Sequence, residues 1–181
     1  MGINKRLKAF FLDRDGVLNK SIITNNKPYP PINLSEVVIP EGLKKELNEL
    51  KELDYLLIMV TNQPDVARGT KTKEVVDQIN SYLKVELCLD DVFCCFHDDP
   101  DNCDCRKPKI GMIVSACKKW NIDISKSFMV GDRWKDIQCG KNAGLTTFLL
   151  EKNYDEKRIK PDHSVSKFSQ ILNIIKYIKN E

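Results

Sequence analysis

The segment Lys8-Ala9-Phe10-Phe11-Leu12-Asp13-Arg14-Asp15-Gly16-Val17-Leu18-Asn19 decides the fold and the chemistry of this chain. Its apolar run is typical of a fully buried strand. Asp13 and Asp15 follow at the carboxyl end of that strand, which faces the ligand crevice in an open α/β sheet. Two carboxylates this close repel each other unless a cation or a proton lies between them, and Mg²⁺ suits oxygen ligands. Asp and Gly are also common in surface turns, so the segment alone leaves a turn as the alternative.

The bulk composition describes a globular chain. With 181 residues, 41% of them hydrophobic, we expect residues 1–181 to form one domain with a sizeable core. The net charge of +3 is too small to indicate nucleic-acid binding. No apolar run approaches a membrane-spanning length and the N-terminus lacks a signal-peptide core, so we expect a cytoplasmic protein without membrane contact. We also expect a monomer, although nothing in these features determines the oligomeric state. The seven cysteines are then expected to be thiols or metal ligands rather than disulfides.

Buried strands and amphipathic helices alternate along the rest of the chain, which predicts an α/β fold with a parallel sheet and helices on both faces. Strands are predicted over residues 55–60, 91–96, 127–130, 146–150 and 163–165, and helices over residues 43–53, 72–85, 111–120, 133–143 and 171–178. The proline-rich residues 20–40 predict an irregular, stiff loop. It either lines the mouth of the pocket or merely connects two elements.

Polar side chains follow two more of these buried strands. Thr61 comes after the second strand, where its hydroxyl and backbone N–H can donate to a phosphate oxygen. Asp132 comes after the fourth, and Asp136 lies four residues further on, so in a helix both can face the pocket. An N-cap and a turn are the alternative for each position.

A cluster of cysteines and one histidine predicts a structural zinc site. In an extended chain Cys95 and His97 point to one side and Cys94 to the other, and Cys103 and Cys105 follow after a short polar loop. Four ligands of these types suit tetrahedral zinc and leave no open position for water. The alternative is four unconnected residues of a cysteine-rich chain.

Arg106 and Lys107 follow this loop directly, so both can meet a phosphate, although a solvated basic pair is common. Together with the carboxylate pair, Thr61 and the distal pair of aspartates, they suit phosphoryl transfer through a covalent aspartyl phosphate. In such a reaction one carboxylate attacks and its neighbour moves the protons.

These motifs resemble those of a known family. Asp13-x-Asp15-Gly16, Thr61-Asn62-Gln63, Lys107 and Gly131-Asp132 look like the four motifs of haloacid-dehalogenase (HAD) superfamily phosphatases. Cys95-x-His97 with Cys103-x-Cys105-Arg106-Lys107-Pro108 is similar to the zinc-bearing subgroup that contains D-glycero-D-manno-heptose-1,7-bisphosphate 7-phosphatase and the phosphatase part of histidinol-phosphate phosphatase. The match covers about residues 8 to 150.

The resemblance implies a HAD-like, Rossmann-like sheet with a small zinc-binding loop and no separate cap domain. It implies that Asp13 is the nucleophile and a Mg²⁺ ligand, and that Asp15 is the general acid and base whose backbone carbonyl also binds Mg²⁺. Asp132 would be the third Mg²⁺ ligand. Thr61 and Lys107 would stabilise the transferring phosphoryl group.

The resemblance also implies which residues contact the substrate. Arg106 would recognise it beyond the transferred phosphate, and Asn62 and Gln63 match a substrate-contacting segment. Arg133 stands where a substrate-binding lysine is usual, and Asp136 would orient Lys107 or a metal-bound water.

The implied activity is a Mg²⁺-dependent phosphatase with structural zinc, acting on a small phosphorylated metabolite. A heptose 1,7-bisphosphate or similar sugar phosphate is the first expectation, and histidinol phosphate is the alternative. A function of a different class is a zinc-stabilised binding module without catalysis, but the intact set of motif residues argues against it.

Overall fold

The computed structural model describes residues 6–154 and 156–180. Its helices are α1 (Leu43–Glu52), α2 (Lys73–Glu86), α3 (Gly111–Trp120), α4 (Trp134–Ala143) and α5 (Phe168–Asn180). Its strands are β1 (Lys8–Leu12), β2 (Ile22–Thr24), β3 (Lys27–Tyr29), β4 (Tyr55–Asn62), β5 (Asp91–Cys95), β6 (Phe128–Gly131), β7 (Thr146–Leu150) and β8 (His163–Val165). The strands and helices predicted from the sequence are therefore present within a few residues of their predicted bounds.

Six strands form a parallel sheet in the order β5-β4-β1-β6-β7-β8. β1 lies inside it, with Phe10 paired to Leu57 of β4 on one side and to Phe128 of β6 on the other. After β1 the chain builds the sheet first outward through β4 and β5, and then in the opposite direction through β6, β7 and β8. The carboxyl ends of β1 and β6 therefore lie at the point where the strand order reverses, which is where open α/β sheets bind ligands.

Helices cover both faces of the sheet, as predicted. On one face Phe10 packs in a core with Leu47 of α1, Ile79 of α2 and Ile171 of α5, all fully buried. On the other face Phe11 packs with Met112 of α3 and with residues of α4. Burial of each large apolar side chain contributes about 1.5–3 kcal/mol to folding stability. Because successive residues of β1 point to opposite faces, this strand stabilises the packing of the helices on both faces.

The segment after β1 differs from the prediction. Residues 20–40 were predicted to be an irregular loop, and this was wrong in part, because β2 and β3 form an antiparallel hairpin in which Ile22 pairs with Tyr29. Asn25 and Asn26 have φ values of 51° and 56°, the left-handed backbone that a two-residue hairpin turn requires. A two-stranded hairpin also has a free edge that tolerates Pro28. The prolines excluded a helix but not a strand.

In the described ranges, helices, this hairpin, single 3₁₀ turns and loops connect the strands of the sheet, so no separate cap domain is present there. Within the same ranges no helix is both long and apolar enough to cross a membrane.

Candidate active site

Three carboxylates and one lysine meet at the carboxyl ends of β1 and β6. Asp13 follows β1, Asp132 follows β6 and Asp136 lies in the first turn of α4, and oxygens of the three lie within 4.8 Å of one another. Lys107 Nζ lies 2.7 Å from Asp13 Oδ1 and 2.5 Å from Asp136 Oδ1. It also donates to the carbonyl oxygen of Val60 at 2.8 Å. The four side chains are buried, so their charges interact in a medium of low polarity.

The pKa values reflect this crowding of like charge. Burial raises the pKa of Asp13 to about 7, with Asp136 adding repulsion and Lys107 opposing the shift. Burial and repulsion from Asp13 and Asp136 raise the pKa of Asp132 well above its usual value. Burial disfavours the Lys107 ammonium, but Asp13 and Asp136 outweigh that effect, so the pKa of Lys107 lies above its usual value. A single ammonium is therefore too little positive charge to balance the three carboxyl groups of this cluster.

The same cluster has the donors that a hard divalent cation requires. One ammonium faces three carboxyl groups, two of which have raised pKa values through burial and mutual repulsion, and oxygen ligands suit Mg²⁺. Among the described residues, Asp132 Oδ1 is a buried oxygen without a hydrogen-bond partner. The residues present therefore fit a bound Mg²⁺.

Two glycines make room for these carboxylates. Gly16 has a φ of +93°, and a Cβ atom there would lie 1.7 Å from Asp132 Oδ2. A Cβ atom at Gly131 would lie 2.1 Å from Asp136 Cβ. Any larger residue at either position would displace a carboxylate of the cluster.

Asp15 is held apart from the cluster by three donors. Its Oδ2 accepts from Arg14 Nη2 at 2.9 Å and from Gln63 Nε2 at 2.9 Å, while Oδ1 accepts from Asn19 Nδ2 at 3.3 Å. Arg14 is fully buried and also donates to Asn80 Oδ1 at 3.0 Å. The carboxylate of Asp15 is therefore fixed in orientation. Arg14 and Asn80 were not predicted as site residues, because nothing in the sequence pattern distinguishes a buried arginine from a solvated one.

The residues that end β4 connect this site to the loop that carries Lys107. Asn62 Nδ2 donates to the carbonyl oxygen of Lys107 and Asn62 Oδ1 accepts from its backbone N–H, both at 3.0 Å. Thr61 is buried, and its Oγ1 accepts from Gln63 Nε2 at 3.0 Å. Asn62 thus positions the lysine backbone.

A cavity of about 220 Å³ opens above these groups. Its floor contains Asp13, Asp15, Thr61, Lys107 and Asp136. Its walls are Ser21, Pro28, Tyr29 and Pro30 from the hairpin region, Asn62, Pro64, Asp65 and Arg68 after β4, and Arg133 and Lys135 at the start of α4. The hairpin region therefore lines the pocket mouth, which was one of the two predictions for residues 20–40.

A second cavity, of about 730 Å³, lies between the start of α4 and residues 151–154 and 156–161. It reaches Asp132 but not Asp13, Thr61 or Lys107. Because the nucleophilic and cationic groups converge in the smaller cavity, that one is the candidate active site.

The structure brings the four predicted zinc ligands together. Cys105 Sγ lies 3.0 Å from Cys95 Sγ and 3.4 Å from Cys103 Sγ. His97 Nδ1 lies 3.3 Å from Cys105 Sγ. Cys95 Sγ also lies 3.7 Å from Cys103 Sγ and 3.8 Å from His97 Nδ1. The ligands of one tetrahedral zinc ion lie about 3.5–3.8 Å apart, so these donors are grouped as such a site requires, with Cys95 and Cys105 somewhat closer. The thiol of Cys94 lies outside the group, and burial raises its pKa to about 12.

Arg106 contacts the loop of residues 97–105, which carries three of the four predicted zinc ligands and is called the zinc loop below, rather than the cavity. Its Nε donates to Asp99 Oδ1 at 2.6 Å, and its Nη2 lies 3.2 Å from Asp98 Oδ1. Asp98 also accepts two hydrogen bonds from Arg68, at 2.6 and 2.8 Å. Arg68 lines the cavity, whereas Arg106 and Gln63 do not. Arg68 was not predicted as a site residue, although it lies six residues after β4, at the edge of the sheet where the site was expected.

Residues after β7 also reach the site and were missed. Tyr154 OH donates to Asp132 Oδ2 at 2.8 Å, and Glu156 accepts from Arg133 Nε at 2.8 Å. The rule that polar groups gather after buried strands applies to β7 as well, but these two residues lie four and six positions beyond its end.

Comparisons with known proteins show which proteins this chain resembles. The HAD-hydrolase-like family model matches residues 104–171. The chain is 32% identical over 180 residues to a D-glycero-beta-D-manno-heptose-1,7-bisphosphate 7-phosphatase of Helicobacter pylori (strain J99), covering 95% of this chain and 97% of the relative. It is 35% identical over 162 residues to the D-glycero-alpha-D-manno-heptose-1,7-bisphosphate 7-phosphatase of Photorhabdus laumondii, covering 82% of this chain and 85% of the relative.

A solved structure has the same fold. The D,D-heptose 1,7-bisphosphate phosphatase from B. bronchiseptica, solved with magnesium and phosphate, superposes with a TM-score of 0.80 at 23% identity, covering 94% of this chain and 99% of that chain. The likeness supports the parallel sheet and the order of its strands.

Proposed function

This chain belongs to the HAD-like family of the heptose-1,7-bisphosphate 7-phosphatases, and from that premise we propose that it hydrolyses the 7-phosphate of a D-glycero-D-manno-heptose 1,7-bisphosphate in a Mg²⁺-dependent reaction. The observation that carries the proposal is the meeting of Asp13, Lys107, Asp132 and Asp136 at the point where the strand order reverses. Such an arrangement of carboxylates and one ammonium suits phosphoryl transfer.

Asp13 is the proposed nucleophile. A carboxylate oxygen of Asp13 attacks the phosphorus atom and forms an aspartyl phosphate, and the bond from phosphorus to the sugar oxygen breaks. Asp15 donates a proton to that departing oxygen. In the second half of the reaction Asp15 takes a proton from water, the water oxygen bonds to phosphorus, and inorganic phosphate leaves a free Asp13 carboxylate. Arg14, Gln63 and Asn19 support this role because they fix the Asp15 carboxylate at the cavity floor.

The metal ligands proposed for Mg²⁺ are the carboxylates of Asp13 and Asp132 and the backbone carbonyl of Asp15. When bound, Mg²⁺ neutralises negative charge on the nucleophile and on the phosphate. Asp136 serves Lys107 in this arrangement, because their ion pair fixes the ammonium beside Asp13.

Lys107 and Thr61 are proposed to bind the transferring phosphoryl group. Both line the cavity beside Asp13, one with an ammonium and the other with a hydroxyl. Because Asn62 holds the Lys107 backbone by two hydrogen bonds, the ammonium is placed before the substrate arrives.

The remaining substrate contacts are proposed for Asn62 and Arg133, whereas Gln63 and Arg106 are proposed to act indirectly. Asn62 and Arg133 line the cavity, and the Arg133 guanidinium provides positive charge for a second phosphate. Gln63 and Arg106 support binding through their neighbours, since Gln63 orients Asp15 and Arg106 binds the acidic residues of the zinc loop.

Cys95, His97, Cys103 and Cys105 are proposed to hold a structural zinc ion. Their donor atoms lie within 4.8 Å of one another, on the loop that leads directly to Lys107.

We also propose one domain over residues 1–181, acting as a cytoplasmic monomer. A single sheet with a core on each face supports the first part, and thiols that form no disulfide support the reducing compartment.

Phosphate release from a panel of substrates tests the proposal. The panel contains both anomers of the heptose 1,7-bisphosphate, histidinol phosphate and a generic aryl phosphate, each with and without Mg²⁺. We expect Mg²⁺-dependent release that is fastest with a heptose bisphosphate. Faster hydrolysis of histidinol phosphate would overturn the proposed substrate. A folded, zinc-loaded protein that releases no phosphate from any of them would instead be a binding module.

A further inference from the structure

Residues after β7 turn back onto the start of α4 and hold it at two points. Tyr154 OH donates to Asp132 Oδ2 at 2.8 Å. Two residues further on, the carboxylate of Glu156 accepts from Arg133 Nε at 2.8 Å and from the backbone N–H of Trp134 at 3.1 Å. A backbone hydrogen bond of 3.1 Å from Glu156 N to Tyr154 O joins the two contacts. Tyr154 is therefore anchored beside Asp132 by more than its own hydroxyl.

The carboxylate of Asp132 is restricted on its Oδ2 side. Gly16 approaches it so closely that a Cβ atom there would lie 1.7 Å from Oδ2, and Tyr154 donates to the same oxygen. The other oxygen, Oδ1, is buried and has no hydrogen-bond partner among the described residues. One oxygen is thus bound by the protein and the other is left for a ligand.

We propose that Tyr154 is a positioning residue for the divalent cation: its hydroxyl fixes Asp132 by Oδ2, so that Oδ1 is presented to the metal. The inference rests on the proposed Mg²⁺-dependent function and assigns to it a residue outside the four motifs. A hydrogen bond from a neighbouring residue to a ligating carboxylate sets the orientation of that ligand, and its loss typically weakens metal affinity about 10–100-fold.

Glu156 has a separate part in the same contact. It pairs with Arg133, whose side chain lines the cavity, and it accepts from the first backbone N–H of α4. Glu156 therefore anchors the residues after β7 to α4. The hydroxyl of Tyr154 has the different role of orienting the Asp132 carboxylate.

The test is the affinity of the zinc-loaded protein for Mn²⁺ as a probe of the Mg²⁺ site, measured by calorimetry, in the unsubstituted protein and in Tyr154→Phe. Phe keeps the ring and its packing and removes only the hydroxyl. We expect Mn²⁺ to bind about tenfold or more weakly to Tyr154→Phe. The Mg²⁺ concentration for half-maximal phosphate release should rise by a similar factor, while kcat at saturating Mg²⁺ falls much less.

The matched control is Tyr177→Phe on α5, because Tyr177 is 67% exposed. Its Mn²⁺ affinity should equal that of the unsubstituted protein. Binding of Mn²⁺ to Tyr154→Phe within about twofold of the unsubstituted protein would overturn the inference, as would a lowered kcat at saturating Mg²⁺ with unchanged metal affinity. If the unsubstituted protein still releases phosphate with Mg²⁺ in that case, the proposed function stands and only the role of Tyr154 falls. If the unsubstituted protein binds no Mn²⁺ and releases no phosphate, both fall.

Discussion

Gly16 makes the close approach of Asp132 to the first strand possible, and this contact can be tested with a single methyl group. In Gly16→Ala the new Cβ atom would meet Asp132 Oδ2, and the φ of +93° adds backbone strain. Displacement of a catalytic group by about 1 Å can cost about 10²-fold in rate. We expect kcat/KM of Gly16→Ala to fall by about that factor or more, and metal affinity to fall with it.

Gly69→Ala is the matched control for this substitution. Gly69 also has a positive φ, of +70°, but a Cβ atom there meets nothing within 4 Å. It should therefore lose about 1 kcal/mol of unfolding free energy through strain and keep its activity. Chemical denaturation and steady-state kinetics on both variants measure the two effects. Equal losses of activity in the two variants would show that strain, and not the contact with Asp132, is responsible.

Single residues also mark the limit of what the sequence could predict. Asp13 and Asp132 could be placed because each follows a buried strand, and the carboxyl ends of parallel strands meet at one edge. Arg14, Tyr154 and Arg68 could not be placed, since their partners are distant in the chain or their burial depends on packing. The sequence therefore predicted the residues at strand ends better than the residues that orient them.

At the scale of elements, the zinc loop carries the clearest expectation. The loop is polar and has little apolar surface of its own, so a metal must supply its order. Cys103→Ser and Cys105→Ser should each lose zinc, mobilise the loop that leads to Lys107, and lower kcat/KM by about 10²-fold, with the sheet still folded. Zinc content by elemental analysis, measured beside activity and circular dichroism, tests this.

The cysteines outside the zinc group provide the controls for that experiment. Cys94 and Cys117 lie outside the cluster of donors, so Cys94→Ser and Cys117→Ser should keep both zinc and activity. Full activity in zinc-free Cys103→Ser would make the loop dispensable. Loss of zinc in Cys94→Ser with retention in Cys95→Ser would mean that the ligand set is wrong.

The side chain of Asp162 joins the start of the outer strand β8 to β7, and the contribution of Asp162 to stability should depend on pH. Asp162 Oδ2 accepts from the N–H and the hydroxyl of Thr147 at 2.8 and 2.6 Å. These hydrogen bonds hold the pKa of Asp162 below its usual value. Stabilisation from such a group is present above its unfolded pKa of about 3.9 and is lost as pH falls through the lower folded value.

Asp162→Ala should therefore cost about 1–2 kcal/mol at neutral pH, at the low end because Asp162 is partly exposed while Thr147 is buried. The difference should shrink below about pH 4. Urea denaturation over this pH range measures it. Asp77→Ala is the control, since Asp77 is exposed and its ion pair with Lys73 at 3.8 Å is worth little. A pH-independent difference for Asp162→Ala would contradict the role of its charge.

The hairpin shows why a local pattern can fail at the scale of an element. The prolines of residues 20–40 predicted an irregular loop, because proline is excluded from regular helices and from inner strands. The pair Asn25-Asn26 was the missed signal, because asparagine tolerates the left-handed backbone that closes a two-residue turn. The pocket-mouth prediction for this segment still agrees with the cavity lining.

At the scale of the whole molecule, alternation of strands and helices predicted the parallel sheet, because crossovers through helices make neighbouring strands parallel. The order of the strands, with β1 between β4 and β6, has no local signal and follows from packing on both faces. That order places Asp13 and Asp132 on adjacent strands, and the proposed chemistry depends on it.

Asp13 is proposed to carry the phosphoryl group during turnover, and the decisive experiment traps that aspartyl phosphate. Asp15→Asn should slow both formation and hydrolysis of the intermediate by about 10²–10⁴, so trapping uses the unsubstituted protein. The Mg²⁺-loaded protein is mixed with saturating heptose bisphosphate, quenched in acid within one turnover, reduced with borohydride and analysed by peptide mass spectrometry. The account predicts that residue 13 is converted to homoserine, and that Asp13→Asn gives neither this product nor turnover. A phosphoryl group on any other residue, or appreciable steady-state activity of a folded Asp13→Asn protein, would contradict it.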